Sequence, residues 1–210
     1  MAHSTEIGAI WRRWDPHVHA PGTQLNDLFK GSDPWEDYVA KLEAATPAIE
    51  VIGLTDYYKT DTYARLREAK DNNGRLPNCK MLFCNIEMRL GLGTAAGSWV
   101  NVHLLVSPED PKHLNELDHV LSSLTFSAVD DRFSCTPSEL TRLGFKADPT
   151  IQDERAARQY GSTQFKVNFD QLKSIFNDFG WARSCGRCRR HVRNAGRRRC
   201  HPAARSRKVR

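Results

Sequence analysis

Short apolar segments with the character of strands alternate with helical patterns along most of this chain, and this alternation constrains its fold more than any other feature. The runs IEVIGLTDYY (49–58), KMLFCNIEMRL (80–90) and WVNVHLLVSPED (99–110) have the length and apolar content of buried strands. Strands separated by helices predict an α/β fold built mainly on parallel strands. The last two runs are close enough in sequence to form a hairpin instead.

Helix signals lie between and after these strands. In SDPWEDYVAKLEAAT, Asp33 directly precedes Pro34 and stands three residues before Glu36, which predicts an N-cap, a first-turn proline and a capping partner. TDTYARLREAKDNNG is predicted to end at its Asn-Gly pair, and TPSELTRLG to end at Gly144. Apolar residues at helical spacing predict two more helices, in KHLNELDHVLSSL and NFDQLKSIFNDF.

Charge is divided unevenly along the chain. Residues 182–210 contain 12 Lys and Arg residues and no acid, so the other 19 basic residues face all 25 acidic ones in residues 1–181. The body of the protein is therefore mildly acidic, with a net charge of −6, and offers no electrostatic basis for binding nucleic acid. We predict a domain over 1–180 and a separate basic tail over 181–210.

The basic tail admits three interpretations. It is a disordered arm that binds nucleic acid or another polyanion, a zinc site, or out-of-frame sequence from GC-rich codons. The last is favoured because helical and strand patterns both stop near Trp181. The zinc alternative would use Cys185, Cys188, His191 and either Cys200 or His201.

Neither a secretory signal nor a membrane span is apparent. The opening MAHSTEIGAI lacks a charged n-region followed by an apolar stretch, and no apolar run approaches the roughly 20 residues of a membrane helix. Cys79, Cys84 and Cys135 stand apart in the body, in the pattern of reduced structural thiols. We expect a cytoplasmic protein without a membrane partner.

The first strand ends in a group of polar side chains, in WRRWDPHVHAPG (11–22). Regular alternation would project Asp15, His17 and His19 from one face of the strand. Two imidazoles at that spacing can converge on one metal ion, and Asp15 could accept a ring N–H as an outer partner. The alternative is an ordinary polar strand end.

Three later strands carry polar groups that suit the same purpose. Glu87 and His103 interrupt apolar strands, where an unpaired carboxylate or imidazole is costly, and Asp56 follows the strand before them. Each has a simpler explanation as a satisfied buried polar group, and for Asp56 a cap of the next helix is favoured. Taken together with the two N-terminal histidines, they form the mixed nitrogen and oxygen set that divalent transition metals accept.

The motifs DPHVH, GLTDYY, NIEM and VHLLV, in this order, resemble the PHP (polymerase and histidinol phosphatase) domain, and in particular its form joined to an AAA/SMC-like ATPase in bacterial proteins. The resemblance covers roughly residues 10–180. It implies a distorted seven-stranded β/α barrel that hydrolyses phosphate esters with two or more divalent ions (Zn, Mn or Fe). It also implies a phosphate-ester substrate, such as a nucleotide or nucleic acid. The metal ligands that the predicted site comprises are His17, His19, Asp56, Glu87 and His103.

The chain also departs from the family pattern. Tyr57 stands where the family usually has histidine, and the late Asp-x-His pair is missing. His113 and His119 are six apart in a predicted helix and are expected to be exposed rather than to replace it. We therefore predict a truncated fragment of a longer, ATPase-linked parent. The alternatives are a non-catalytic regulatory module, for which Tyr57 is the best support, an amidohydrolase-type enzyme lacking its usual lysine, and nucleic-acid binding through the tail.

Overall fold

A computed structural model describes residues 11–178 of the chain. The predicted tail and its candidate zinc ligands lie outside these residues. The chain divides into two compact units at the junction of residues 172 and 173, and the sheet and the site described below belong to the first. The elements, in chain order, are β1 (Trp14–His19), α1 (Pro34–Glu43), β2 (Val51–Tyr57), α2 (Asp61–Asn73), β3 (Met81–Gly93), β4 (Trp99–Val106), α3 (His113–Ser123), β5 (Thr125–Ala128), β6 (Asp131–Ser134), α4 (Pro137–Ala147), α5 (Glu154–Gln164) and α6 (Phe169–Asp178).

The first four strands form one sheet in the order β1-β2-β3-β4. The pairs β1–β2 and β2–β3 are parallel, whereas β3 and β4 form an antiparallel hairpin with Glu87 opposite His103. The described residues thus have a mixed α/β fold with a curled half-barrel sheet and six helices, and β5 and β6 form a separate pair. The predicted α/β class is confirmed, while the partial PHP-type seven-stranded barrel stays a prediction.

The two faces of the sheet differ in polarity. Residues paired across neighbouring strands share a face, so the registers Thr55↔Asn85 and Glu87↔His103 define one face, and Leu54↔Cys84 defines the other. The second face is mainly aliphatic and buried. The first, which we call the polar face, carries His17, His19, Thr55, Tyr57, Asn85, Glu87, Arg89, Asn101 and His103.

A β-bulge in β1 changes the predicted placement of Asp15. The register shifts between Asp15 and Val18, so that two residues of β1 lie opposite Gly53. A Cβ at Gly53 would approach the Pro16 carbonyl oxygen to 2.3 Å, and only glycine leaves room for this bulge. As a result Asp15 points to the face opposite His17 and His19. The prediction that Asp15 shares a face with these histidines is therefore wrong.

Most of the helices predicted from capping residues and apolar spacing are present in the structure. Asp33 caps α1 by accepting a hydrogen bond from the Glu36 backbone N–H at 3.1 Å, although the Glu36 carboxylate binds Arg75 instead of returning to the cap. Gly74 ends α2 in the left-handed conformation, at φ 65°. The described cysteines are all free and buried, as expected of structural thiols.

Gly144 does not end α4, which continues to Ala147. A Cβ at Gly144 would lie 1.8 Å from the Ala157 carbonyl oxygen, and one at Gly161 would lie 1.8 Å from that of Leu140. These glycines allow the backbones of α4 and α5 to touch. The glycine that was interpreted as a helix stop is therefore a helix-packing residue, and α5 itself was not predicted.

His113 is buried, contrary to the expectation that it is exposed, whereas His119 is exposed as expected. His113 stands four residues before Leu117 and seven before Val120, so it lies on the apolar stripe of α3. Its Nε2 lies 3.1 Å from the Tyr63 hydroxyl oxygen and its Nδ1 lies 2.5 Å from the Asp110 carbonyl oxygen, so both nitrogens of the buried ring have partners. Within residues 11–178, no helix has both the length and the apolar character that crossing a bilayer requires.

Candidate metal centre

Three of the predicted ligands meet on the polar face. His17, Glu87 and His103 each offer one ligand atom, and these atoms lie within 4.8 Å of one another, so the group could hold a metal ion. The rings of His17 and His103 have their centroids 4.7 Å apart. β1, β3 and β4 each contribute one of these side chains, so the group depends on the strand order.

His19 joins this group through its Nε2 atom. That atom lies 3.0 Å from Nε2 of His17 and 3.8 Å from Oε2 of Glu87. Its other ring nitrogen, Nδ1, lies 3.4 Å from the Thr23 hydroxyl oxygen, which donates its own hydrogen to Asp56 at 3.0 Å. Because that hydroxyl hydrogen is used, Thr23 can only accept from His19. The proton of the neutral ring is therefore on Nδ1, and the Nε2 lone pair faces the centre.

Asn85 sets the tautomer of His103 by a similar chain of contacts. The Asn85 side-chain amide donates to the Pro16 carbonyl oxygen at 2.8 Å, and a carbonyl can only accept. The amide oxygen of Asn85 must then be the atom that lies 3.0 Å from Nδ1 of His103. His103 consequently carries its proton on Nδ1 and leaves Nε2 available as a ligand.

Glu87 is buried, with 4% of its surface exposed, and its two oxygens have different surroundings. Oε1 accepts a hydrogen bond from the Asn101 side-chain amide at 2.6 Å. Oε2 has no hydrogen-bond donor among the described residues, although Nε2 of His17 lies 3.5 Å away. A buried carboxylate oxygen without a donor is unfavourable, and a cation at this position would compensate it.

The electrostatics of the imidazoles agree with a role as neutral ligands. The pKa of His19 is lowered below its ordinary value, first by burial and then by His17. The pKa of His103 is lowered by burial and by the other two histidines, against the opposite effect of Glu87. Both rings therefore favour the neutral form that binds metals.

Two predicted site residues lie outside this group. Asp56 is on the aliphatic face, opposite Ile86, and reaches the centre only through Thr23 and His19. Asp15 accepts the His17 backbone N–H at 3.3 Å and does not contact an imidazole nitrogen. The outer carboxylate that was predicted at Asp15 is thus provided by Asp56.

Tyr57 lies directly beside the centre. Its ring stacks on that of His19, with centroids 5.9 Å apart and planes inclined by 13°. Burial, followed by the neighbouring Glu87 carboxylate, raises the pKa of Tyr57, so its hydroxyl is neutral. A phenol at this position supplies a donor next to the carboxylate where histidine would supply a metal ligand.

Comparison of the chain with protein-family models, curated proteins and solved structures gave no match. The resemblance to the PHP family therefore rests on the four quoted motifs.

Three supporting residues were not predicted from the sequence. Asn85 stands two positions before Glu87 on the same strand, so period-two alternation could have placed it on the polar face. Asn101 stands two positions before His103 and could have been found in the same way. Thr23 lies in the loop after β1, where periodicity carries no information about its contact with Asp56.

Proposed function

We propose that the polar face binds a divalent transition metal and that the chain is a metal-dependent phosphoesterase domain. The observation that carries the proposal is the Glu87 Oε2 atom, buried without a donor beside imidazole nitrogens. The donor set of imidazole nitrogen and carboxylate oxygen suits Zn, Mn or Fe better than Ca or Mg. Phosphate-ester hydrolysis is what the resemblance to PHP domains adds to this geometry.

The residues around the centre would act either as metal ligands or as groups that orient the ligands. His17, His19 and His103 would provide neutral nitrogen ligands, and Glu87 would provide charge and an oxygen ligand. Thr23 and Asn85 would hold two of the imidazoles in the ligating tautomer. A bound divalent ion supplies the Lewis acidity that activates water and withdraws charge from a phosphate ester.

The proposal is tested first by metal binding. We expect the full chain to bind Zn²⁺ or Mn²⁺ in isothermal titration, and we expect His17→Ala, Glu87→Gln and His103→Ala to weaken binding by more than about tenfold each. His119→Ala removes an exposed histidine outside the centre and serves as the matched control. Equal metal affinity in the control and the three centre variants would disprove the metal site.

Catalysis is tested by turnover of a chromogenic phosphate monoester with each metal. Metal-dependent turnover that disappears in Glu87→Gln would support the phosphoesterase assignment. A chain that binds metal at the centre but shows no turnover would instead be a non-catalytic PHP-like module. Tyr57 favours this second function, because its phenol occupies a position next to Glu87 and His19 where a ligand would be needed for a further ion.

A further inference from the structure

Two cationic side chains approach each other beyond the metal centre. Arg89 Nη1 lies 3.4 Å from the Thr163 carbonyl oxygen, and Lys166 Nζ donates to the same oxygen at 2.5 Å. Lys166 reaches this position because the segment after α5 docks along the end of β3, through a parallel bridge between Leu90 and Val167. The structure thus holds two like charges around one acceptor.

Neither cation is neutralised by a carboxylate in the part of the chain that the structure describes. Ion pairs within 4.0 Å are formed by several other Arg and Lys residues there, but Arg89 and Lys166 have only carbonyl acceptors. Lys166 is half-buried, and burial together with the Arg89 charge lowers its pKa to about 8. Two adjacent, partly desolvated cations without a counter-ion are unfavourable unless an anion joins them.

Both cations border the candidate centre. Arg89 is two residues after Glu87 on β3, which places its side chain on the polar face about 7 Å along the strand. Lys166 stands next to Val167, which is fully buried, and its ammonium lies 5.1 Å from the centre of the exposed Trp99 ring. Trp99 precedes Asn101 and His103 on β4 by two and four residues, so regular alternation places all three on one face, and the pair lies beside the polar face.

We propose that Arg89 and Lys166 form an anion-binding site that receives the phosphoryl oxygens of the substrate beside the metal centre. The inference rests on the proposed function for the identity of the anion. Arg89 offers a planar set of N–H donors, and Lys166 offers a rotatable ammonium, the two kinds of group by which proteins bind phosphate. Trp99 closes one side of the site with an apolar surface.

The experiment titrates inorganic phosphate into the chelator-treated full chain and measures binding by isothermal titration calorimetry. We expect Arg89→Gln and Lys166→Gln each to weaken phosphate binding about tenfold, the loss of one charge-assisted contact. Lys166→Arg keeps the charge and should bind within about threefold of the wild type. Lys112→Gln removes an exposed lysine before α3 and is the matched control. The basic segment 182–210 is present in every variant, so differences between variants exclude its contribution.

The outcomes separate this inference from the proposed function. Phosphate binding that is absent, or unchanged in both glutamine variants, overturns the anion site even where the centre binds metal. Phosphate binding that depends on Arg89 and Lys166 in a chain that binds no metal supports the anion site and disproves the phosphoesterase proposal. We expect the Zn²⁺ affinity of Lys166→Gln to stay within about twofold of the wild type, because Lys166 is not a metal ligand. Circular dichroism melting curves verify that each variant is folded.

Discussion

Two buried carboxylates lie on opposite faces of the same sheet, and their surroundings differ. Asp56 on the aliphatic face accepts hydrogen bonds from the Thr23 hydroxyl, the Gln24 and Tyr57 backbone amides and the Thr62 hydroxyl. Glu87 on the polar face accepts one close hydrogen bond, at Oε1 from Asn101; the Tyr57 hydroxyl also interacts with the carboxylate, but Oε2 has no donor at hydrogen-bond distance among the described residues.

Burial alone therefore does not identify a functional carboxylate. Asp56 has its donors within the protein, from the loop after β1 and from the first turn of α2, so both of its oxygens already accept hydrogen bonds. Two of the imidazoles near Glu87, those of His19 and His103, present lone pairs, as set by Thr23 and Asn85, and cannot donate to it. The first carboxylate is a structural link between segments, whereas the second requires a partner from outside the chain.

The largest effect is expected from removing the satisfied carboxylate. Asp56→Ala leaves four donors without an acceptor in a buried position, and we expect it to lower the free energy of unfolding by about 3–4 kcal/mol. Chemical denaturation of the metal-free chain measures this change. Glu68→Ala removes an exposed acid of α2 and should change stability by less than about 0.5 kcal/mol. An equally small change for Asp56→Ala would show that its hydrogen bonds do not stabilise the fold.

Metal binding should compensate the unsatisfied carboxylate. At a free Zn²⁺ concentration of about 100 times the dissociation constant, the free energy of unfolding should rise by about 2.7 kcal/mol, because the ion binds the folded chain alone. The gain should fall to about 1.4 kcal/mol or less in Glu87→Gln, as a tenfold or larger loss of affinity requires, and persist in His119→Ala. Denaturation curves with and without the metal provide the measurement. A gain that is undiminished in Glu87→Gln would place the ion elsewhere, and the two carboxylates would then not differ in their need for an external cation.

Thr23 contacts both Asp56 and His19, so its substitution tests whether the hydrogen bonds around Asp56 support the metal centre. Thr23→Val keeps the shape of the side chain but removes the group that fixes the His19 tautomer, so we expect Zn²⁺ affinity to fall about tenfold. Thr62→Val also removes a hydroxyl donor to Asp56, yet Thr62 has no contact with His19. The two variants should lose similar stability and differ in metal affinity. Equal affinities would mean that Thr23 does not position His19.

The contrast between the carboxylates was only partly predictable from the sequence. Glu87 and His103 could be predicted as site residues because an acid and an imidazole interrupt otherwise apolar strands. Pairing across the β3–β4 hairpin places them directly opposite each other. Asp15 was misplaced because a bulge beside Gly53 breaks the alternation of β1. The donors of Asp56 come from a loop and a helix, whose positions depend on tertiary packing, so no local pattern indicates them.

A substitution at Glu87 should change the stability of the metal-free chain only slightly, and the direction of that change is informative. In the metal-free chain, Glu87→Gln removes a buried charge while keeping an oxygen to accept from Asn101, so we expect a gain of about 1 kcal/mol in the free energy of unfolding. Asp56→Asn should instead lose stability, because its amide nitrogen cannot accept from the donors that surround it. In parallel denaturation experiments, the two substitutions should change the free energy of unfolding in opposite directions, because the oxygens of the two carboxylates have different hydrogen-bond partners. A loss of stability in Glu87→Gln would mean that the carboxylate is compensated within the protein, and the case for an external cation would fail.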